Sequence, residues 1–435
     1  MSHRFVSKQV KRKKILIVTK YLQNYTLFAP LIHNKPSLNL GLIIVIPCYD
    51  EDYLLISLMS LKKCEMPLCD VEVIVVINES EVEKEEVSEK NEVTYKQAVK
   101  WVELNNTPRL KFYILYKSDL PKKHAGVGLA RKIGMDEACW RFQKIRNQRG
   151  VIACFDADSR CDANYLVAIT EHFRKKTKVQ AASIYFEHPT QGIDFEDDVY
   201  EAIVLYELHL RYFINAQKWA GFPFATQTIG SSLAVRCQSY QEQGGMNKRK
   251  AGEDFYFIHK FTPLGKFSEI LNTRVIPSPR PSHRVPFGTG KAVKETINKN
   301  GGYLTYHPRS FEALKSFVEL VPSLFSCEQK DLRLKLSNLP VGVSAFLESI
   351  QWETKVIEIQ SNTTNLKTFQ NRFFKWFNAF QVMKFLHYLR DNYYENVEVC
   401  EAAHWLLKEL KIEMELEEMP KYLLNLFREI DKRKR

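Results

Sequence analysis

The chain has 435 residues, a net charge of +12 and a hydrophobic share of 45%. This length suits one large domain or two medium ones, and the composition excludes a disordered or fibrous protein. Ten of the twelve excess positive charges lie at the ends, six within residues 1–14 and four within residues 432–435. The body is therefore nearly neutral. This argues against a nucleic-acid binder, because affinity for phosphates would depend mainly on the two tails.

Short apolar runs alternate with helical patterns after a basic lead-in at residues 1–40. The runs cover residues 42–46, 71–77, 111–116 and 151–155, and helical patterns follow the first and third of them at 52–64 and 126–145. Runs this short and this apolar are typical of strands buried on both faces of a parallel sheet. Strands that alternate with helices predict an α/β fold.

The composition changes again towards the C-terminus. We expect a sheet domain at 41–295 and a mainly helical region at 300–435, where Phe373 and Phe377 recur at helical spacing. Acidic residues crowd the segment 79–92. This segment predicts a solvated loop or a helix start without special chemistry.

Nine cysteines are scattered along the chain, without a Cys-x-x-Cys pair or a zinc-type Cys/His spacing. Free thiols of this kind indicate a reducing compartment, so we expect a cytoplasmic protein. No apolar run approaches the roughly 18–20 residues that a membrane-spanning helix needs. The basic termini predict at most a peripheral contact with the inner face of a membrane.

Two carboxylates, Asp156 and Asp158, follow the fourth apolar run directly. Ligands bind beyond the carboxyl ends of the strands in an open parallel sheet, and two carboxylates at this spacing can reach one cation. Carboxylate oxygens suit Mg²⁺ or Mn²⁺ that carries phosphate oxygens. Such a cation would neutralise the charge that develops on a leaving diphosphate.

Polar residues also follow the other strands. The first run ends in the segment 47–51, which contains Pro47, Tyr49 and Glu51, and the second ends at Asn78. After the third run, Gly126 begins a helical segment whose glycines let the backbone approach a ligand and whose start favours an anion. Arg131 in this segment is placed to meet a phosphate or a ribose.

The order of these motifs resembles family 2 of the glycosyltransferases. The shared order is a strand with Pro-x-Tyr-x-Glu at 47–51, a strand ending in Asn, a Gly-x-x-x-Ala-Arg helix at 126–131 and a strand with Asp-x-Asp. The similarity continues with a glycine-containing segment at 229–234, Gly-Gly-Met at 244–246 and Glu253-Asp254. The resemblance implies the GT-A fold, a Rossmann-like, mostly parallel mixed sheet flanked by helices, here with a C-terminal helical extension.

The resemblance also implies a role for each matching position. Residues that hold the nucleotide sugar would be Pro47, Tyr49, Glu51, Asn78, Gly126, Arg131, Asp156 and Ser231. Asp156 and Asp158 would bind the metal, with His283 in the later Pro-Ser-His segment as a third ligand. Asp254 or Glu253 would be the base that removes the acceptor's hydroxyl proton, since displacement with inversion needs a base opposite the leaving diphosphate. Desolvation by the neighbouring aromatic residues would raise its pKa.

The implied reaction transfers a sugar from a nucleoside diphosphate sugar to a hydroxyl of a glycan, a lipid-linked molecule or a small molecule. The family usually has Asp where Asn78 stands, which leaves the nucleobase open. Two alternatives remain. One is a nucleotide-sugar-binding protein without catalysis. The other is a sugar nucleotidyltransferase, although such enzymes carry a Gly-rich, basic loop where this chain has 47–51.

Overall fold

The computed structural model describes residues 20–284, 287–299, 302–414 and 419–433. They form two compact units. The first comprises the described residues up to Pro189 together with Thr228–Ser278, and the second comprises Thr190–Gln227 with the described residues from Pro279 onward. This differs from the sequential division at 295–300 expected from the sequence, because a segment from the middle of the chain groups with the helical region. The basic residues of 1–14, with Lys434 and Arg435, lie outside the described residues.

The first unit contains an eight-stranded sheet in its described part. Its strands are β1 (Leu40–Cys48), β2 (Asp70–Ser80), β3 (Leu110–Leu120), β4 (Val151–Cys154), β5 (Arg160–Cys161), β6 (Ala181–Phe186), β7 (Leu233–Arg236) and β8 (Phe267–Ile276). They lie in the order β3-β2-β1-β4-β7-β6-β8-β5. The first four strands are parallel, β7 is antiparallel to β4 and β6, and β8 is parallel to β6.

The helices of both units follow in chain order. They are α1 (Leu54–Lys62), α2 (Glu85–Asn105), α3 (Val127–Lys144), α4 (Tyr165–Lys175), α5 (Asp197–Trp219), α6 (Cys237–Glu242), α7 (Glu253–Ile258), α8 (Thr289–Asn298), α9 (Pro308–Leu324), α10 (Leu332–Leu336), α11 (Val341–Ser349), α12 (Trp352–Ser361), α13 (Leu366–Trp376), α14 (Ala379–Asn392), α15 (Val399–Glu409) and α16 (Pro420–Lys432). The predicted α/β class is confirmed, with a mostly parallel mixed sheet, flanking helices and a helical C-terminal region.

The central strands form because their apolar runs are buried on both faces. Residues 42–46 of β1 and 73–77 of β2 have no exposed surface. Ile44 pairs with Val73 on one side and with Ala153 on the other, which fixes the register of three parallel strands. Helix α3 lies close against this sheet because Gly134 has no side chain, and a Cβ there would stand 2.5 Å from Val45 Cγ1.

The described part of the lead-in belongs to the first unit. Tyr21, Leu22 and Ile32 are buried in its core, and the N–H groups of Leu31 and Ile32 donate to the carboxylate of Glu137 in α3 at 2.7 and 3.2 Å. The domain therefore begins before residue 41, where the sequence placed its start. This segment packs against α3 and satisfies a buried carboxylate.

The second unit is helical apart from a short antiparallel pair, β9 (Leu304–Thr305) with β10 (Val397–Glu398). The phenylalanines that recur at helical spacing form a core, in which Phe373 and Phe377 have no exposed surface. Buried ion pairs hold α16 against α5, with Arg211 donating to Asp431 at 2.5 Å and Arg428 to Glu207 at 2.8 Å. Among the described residues, no helix is both long and apolar enough to cross a membrane.

Candidate active site

Several of the predicted site residues gather at one edge of the sheet in the first unit. Cys48 at the end of β1 pairs with Ile77 in β2, and Val45 of β1 pairs with Cys154 at the end of β4. Because these strands are parallel, their carboxyl ends meet at the same edge. The segment 47–51, Asn78 and Asp156 therefore lie at neighbouring strand ends, as the sequence predicted.

Arg131 of α3 connects two of the predicted motifs. Its side chain is only 3% exposed, and its Nη2 donates to Asp156 Oδ1 at 2.5 Å while its Nη1 donates to Glu253 Oε1. Gly230 lies directly against the guanidinium, since a Cβ at that position would stand 2.5 Å from Nη1 and Nη2. One buried cation thus joins the Asp-x-Asp turn, the Glu-Asp pair and the glycine segment at 229–234.

Two glycines at the start of α3 allow this arrangement. A Cβ on Gly128 would stand 2.3 Å from the carbonyl oxygen of Arg249, and one on Gly126 would stand 3.2 Å from Lys250 Cα. The loop before α7 therefore packs directly on the first turn of α3. These contacts give the two glycines a packing role that the sequence did not predict, and a role of Gly126 at the nucleotide sugar stays a prediction.

Asp254 stands in the first turn of α7 and is half-buried. Burial, followed by the negative charge of Glu253, raises the pKa of Asp254 from 3.8 to about 7, although Arg131 acts in the opposite direction. Its Oδ1 accepts the backbone N–H of Phe255 at 2.7 Å. The direction of this pKa shift and its main cause, desolvation, agree with the sequence-based expectation for a general base.

Glu253 differs from its neighbour in its surroundings. It is 2% exposed, and its carboxylate is committed to the ion pair with Arg131. Burial raises the pKa of Glu253, and Arg131 lowers it. Of the two acids that the sequence proposed as bases, Glu253 is thus the one held by a cation.

The loop after β1 is fixed against α2. Asp50 has a φ of 50°, and its N–H donates to Asn91 Oδ1 at 2.9 Å. Lys90 Nζ lies 2.8 Å from Asp50 and 2.9 Å from Asp52. Glu51 is 1% exposed, with Oε1 accepting the N–H of Tyr53 at 2.9 Å. The loop is therefore held in place by hydrogen bonds and ion pairs of this chain.

Tyr49 and Asn78 occupy the positions assigned to the nucleotide pocket. Asn78 is 2% exposed and pairs with Lys117 of β3, while Tyr49 and Pro47 are half-buried. Burial and the carboxylate of Glu83 raise the pKa of Tyr49 to about 12, so its hydroxyl stays protonated at neutral pH. Their contacts with a nucleotide stay a prediction.

Glu79 is a buried acid whose position is not evident from the sequence. It is 4% exposed and accepts hydrogen bonds from three side chains, which are Ser88 at 2.9 Å, Asn91 at 3.1 Å and Tyr116 at 2.8 Å. The interpretation of 79–92 as a solvated segment is therefore wrong for this residue. Its position beside Asn78 at the end of an apolar strand is the signal that would have marked it.

The carboxylates assigned to the metal lie at the accessible part of the site. The Asp156 side chain is 35% exposed and Asp158 is half-buried. Among the described residues, no three His, Cys, Asp or Glu side chains lie together in a way that could hold a metal ion. Two carboxylates fit a magnesium-type site in which substrate phosphates and water complete the coordination. His283 is exposed and belongs to the second unit, so its role as a third ligand stays a prediction.

Unpaired hydroxyl groups occur close to this site in the sequence. Ser231, which follows Gly230, and Ser159, which follows Asp158, have no exposed surface, and their Oγ atoms have no hydrogen-bond partner among the described residues. The Nε of Arg131 is also buried, and it too has no hydrogen-bond partner among the described residues. Buried polar atoms without partners are uncommon in folded proteins. Ser231 was assigned to the nucleotide sugar, and its unpaired hydroxyl is compatible with that role.

Comparison with known proteins finds distant structural likenesses. A crystal structure of S. aureus TarS 1–349 in complex with UDP-GlcNAc has 12% sequence identity and a TM-score of 0.39, covering 76% of this chain and 90% of that one. The same fragment in complex with UDP has 11% identity and a TM-score of 0.37, covering 78% and 92%. S. aureus TarS itself has 13% identity and a TM-score of 0.37, covering 76% and 54%. No protein-family model and no curated protein matches the chain.

Proposed function

We propose that this chain is a metal-dependent glycosyltransferase of the GT-A fold, similar to family 2. It would transfer a sugar from a nucleoside diphosphate sugar to an acceptor hydroxyl with inversion. The observation that carries the proposal is the buried Arg131, which joins the carboxylate of Asp156 to the Glu253-Asp254 pair. This arrangement brings the Asp-x-Asp turn and an acid with a pKa near 7 to the carboxyl edge of a mostly parallel sheet.

Asp254 is the base in this proposal. A general base works best when its pKa lies near the working pH, because it is then both deprotonated and able to take a proton. The pKa of Asp254, about 7, meets this condition. Glu253 is instead a positioning residue, since its carboxylate is bound to Arg131 and its charge raises the pKa of Asp254.

The donor binds along the strand ends. Pro47, Tyr49, Glu51 and Asn78 would hold the nucleoside, with Gly126 and Ser231 beside the diphosphate sugar. Asp156 and Asp158 would hold Mn²⁺ or Mg²⁺. When bound, this cation neutralises the charge that develops on the leaving diphosphate.

Arg131 acts through other residues rather than on the phosphate in this account. Both terminal nitrogens of its guanidinium already bind carboxylates of this chain, Nη2 that of Asp156 and Nη1 that of Glu253. By pairing with Asp156 Oδ1, it would hold the carboxylate of Asp156 in place beside the metal. The acceptor is a glycan, a lipid-linked molecule or a small molecule, and the protein acts in the cytoplasm or at the inner face of a membrane.

The experiment that tests this function measures nucleoside diphosphate release from UDP-, GDP-, CDP- and dTDP-sugars in the presence of Mn²⁺. We expect the wild type to release one nucleotide with metal and to lose this activity with EDTA. Asp254→Asn should bind the same donor but release the nucleotide at least about 100-fold more slowly, as expected for removal of a general base. Binding without release in the wild type, across a panel of acceptors, would favour a nucleotide-sugar-binding protein instead.

A further inference from the structure

The turn that follows Asp158 is fastened to α1. Three hydrogen bonds join the two segments, from Ser57 Oγ to Ser159 O at 2.7 Å, from Cys161 N to Ser60 Oγ at 3.0 Å and from Glu65 N to Ala163 O at 2.8 Å. The contact lies wholly within the first unit. It therefore holds the end of α1 and the short strand β5 side by side.

Two cysteines meet within this contact. Cys64 Sγ, just beyond α1, lies 3.5 Å from Cys161 Sγ in β5, although the residues are 97 positions apart in the sequence. Cys64 is 7% exposed and Cys161 is half-buried, so a small reagent can reach the pair from the side of Cys161. Strand β5 has only two residues and stands at the edge of the sheet, where a small shift costs few hydrogen bonds.

We propose that Cys64 and Cys161 are a redox modification site that forms an intramolecular disulfide when the protein meets a peroxide. The sulfur atoms must approach from 3.5 Å to about 2.05 Å, the length of a disulfide bond. This proposal does not depend on the glycosyltransferase activity. It concerns a pair of thiols that the scattered cysteine pattern of the sequence did not reveal.

The reaction takes two steps with hydrogen peroxide as the oxidant. The Cys64 thiolate attacks one peroxide oxygen, so an S–O bond forms, the O–O bond breaks and the departing hydroxide takes a proton to become water. Cys161 sulfur then attacks Cys64 sulfur, so the S–S bond forms, the S–O bond breaks and hydroxide leaves with the Cys161 proton as a second water. Each sulfur gives up one electron, and the two peroxide oxygens are reduced.

The surroundings favour this pair over other cysteines of the first unit. The hydrogen bond from the Cys161 thiol lowers the pKa of Cys64, and a thiolate is the reactive form. Burial instead raises the pKa of Cys154 to about 12, and Cys139 is also raised by burial. Both of these residues are fully buried. Oxidation should therefore favour the Cys64–Cys161 contact over Cys139 and Cys154.

A disulfide here would tie α1 to the strand that follows the Asp-x-Asp turn. It would close a loop spanning the 97 positions between the cysteines, and a cross-link over a long loop restricts the unfolded chain. We therefore expect the oxidised protein to unfold several degrees higher than the reduced protein. The increase should disappear on reduction with dithiothreitol.

The test uses the full chain treated with a small excess of hydrogen peroxide and then unfolded in guanidinium chloride with N-ethylmaleimide, so that the buried thiols are also alkylated. Mass spectrometry should show a fall from nine alkylated cysteines to seven. A non-reducing tryptic digest should contain peptide 64–84 joined to peptide 161–174. Because peptide 64–84 also contains Cys69, the digest is repeated with Cys69→Ser, which should keep the cross-link and the thermal shift.

Cys64→Ser and Cys161→Ser are the matched variants, and each should lose both the cross-link and the thermal shift. The digests of wild type and Cys69→Ser test the proposal even if Cys64→Ser or Cys161→Ser fails to fold. The proposal is overturned if the joined peptide is absent, if it disappears in Cys69→Ser, or if another pair of cysteines oxidises faster. Conversion of Cys64 to a sulfinic acid without cross-linking would also overturn it.

Discussion

The Nη2 atom of Arg131 lies 2.5 Å from Asp156 Oδ1, and this ion pair is shielded on the arginine side, where only 3% of the side chain is exposed. Removing one partner of a buried pair leaves a charge without compensation. Arg131→Met would leave Glu253 charged and buried beside an apolar group. We predict a loss of about 3–5 kcal/mol in the free energy of unfolding, measured by urea denaturation.

The double variant Arg131→Met with Glu253→Gln is the informative control for that prediction. It removes the buried carboxylate together with its partner, so it should regain part of the stability lost in the single variant. Arg174→Met, which breaks an exposed pair with Glu171 on α4, should leave the unfolding midpoint unchanged. If Arg131→Met and wild type were equally stable, the buried ion pairs of Arg131 would not contribute to the free energy of unfolding.

The rate of sugar transfer should depend on the ionisation of Asp254. Because the base acts as a carboxylate, kcat/KM should rise with pH, pass through half its maximum near the pKa of about 7 and level off above it. The negative charge of Glu253 raises this pKa. Glu253→Gln should therefore move the midpoint of the profile to lower pH in whatever activity remains. A midpoint that stays in place or moves to higher pH would show that the charge of Glu253 does not raise the pKa of Asp254.

Asp254 should also lower the stability of the protein at neutral pH. Its pKa is about 7 in the folded chain against an ordinary 3.8, so the folded state keeps a proton that the unfolded chain releases. Burying the charged carboxylate lowers the free energy of unfolding. This loss is absent below pH 4, grows as the pH rises and is complete above pH 7. Asparagine has no charge to bury. Asp254→Asn should thus be more stable than wild type by roughly 2–4 kcal/mol at pH 8.

That prediction is checked by chemical denaturation of both proteins at pH 4 and pH 8. The difference should be largest at pH 8 and close to zero at pH 4. Glu242→Gln, at an exposed residue of α6, is the control for a general effect of removing a carboxylate. An Asp254→Asn protein that is less stable than wild type at pH 8 would show that the carboxylate has a stabilising role instead.

The approach of the 249–253 loop to α3 depends on Gly128. A Cβ at this position would stand 2.3 Å from the carbonyl oxygen of Arg249, which is backbone and cannot rotate away. Gly128→Ala should displace the loop, weaken the Arg131–Glu253 pair and cost about 1–3 kcal/mol of stability. The rate of donor turnover should also fall, because the Arg131–Glu253 pair is part of the candidate site.

Gly302→Ala provides the comparison for that substitution. A Cβ there would stand 3.5 Å from Glu398 Oε1, an ordinary contact distance. We expect a small change in the thermal midpoint of Gly302→Ala and a clear decrease for Gly128→Ala. Similar midpoints for the two variants would show that the loop adapts to an added methyl group.

The central strands could be predicted because their signal is local. The runs at 42–46 and 71–77 lie inside β1 and β2. A continuous apolar run identifies a strand that is buried on both faces. The Asp-x-Asp turn could be placed for the same reason, since it follows such a run.

Long-range relationships could not be predicted in this way. Arg131 and Glu253 are 122 positions apart, and nothing in either motif shows that the arginine meets the glutamate rather than a phosphate. Glu79 looks like one more acid in an acidic segment, yet it is buried because α2 folds back over the end of β2. The grouping of 190–227 with the C-terminal region likewise depends on packing between distant helices.

The most direct test of the proposed function is metal-dependent donor binding at Asp156 and Asp158. Isothermal titration calorimetry of the full chain with UDP, GDP, CDP and dTDP should detect one nucleotide that binds in Mn²⁺ and binds at least about tenfold more weakly in EDTA, as expected for a diphosphate held partly by the cation. Asp158→Asn, which leaves the Arg131–Asp156 pair in place, should remove this dependence on metal. Equal affinity of wild type and Asp158→Asn in Mn²⁺, or no binding of any of the four nucleotides, would contradict the account.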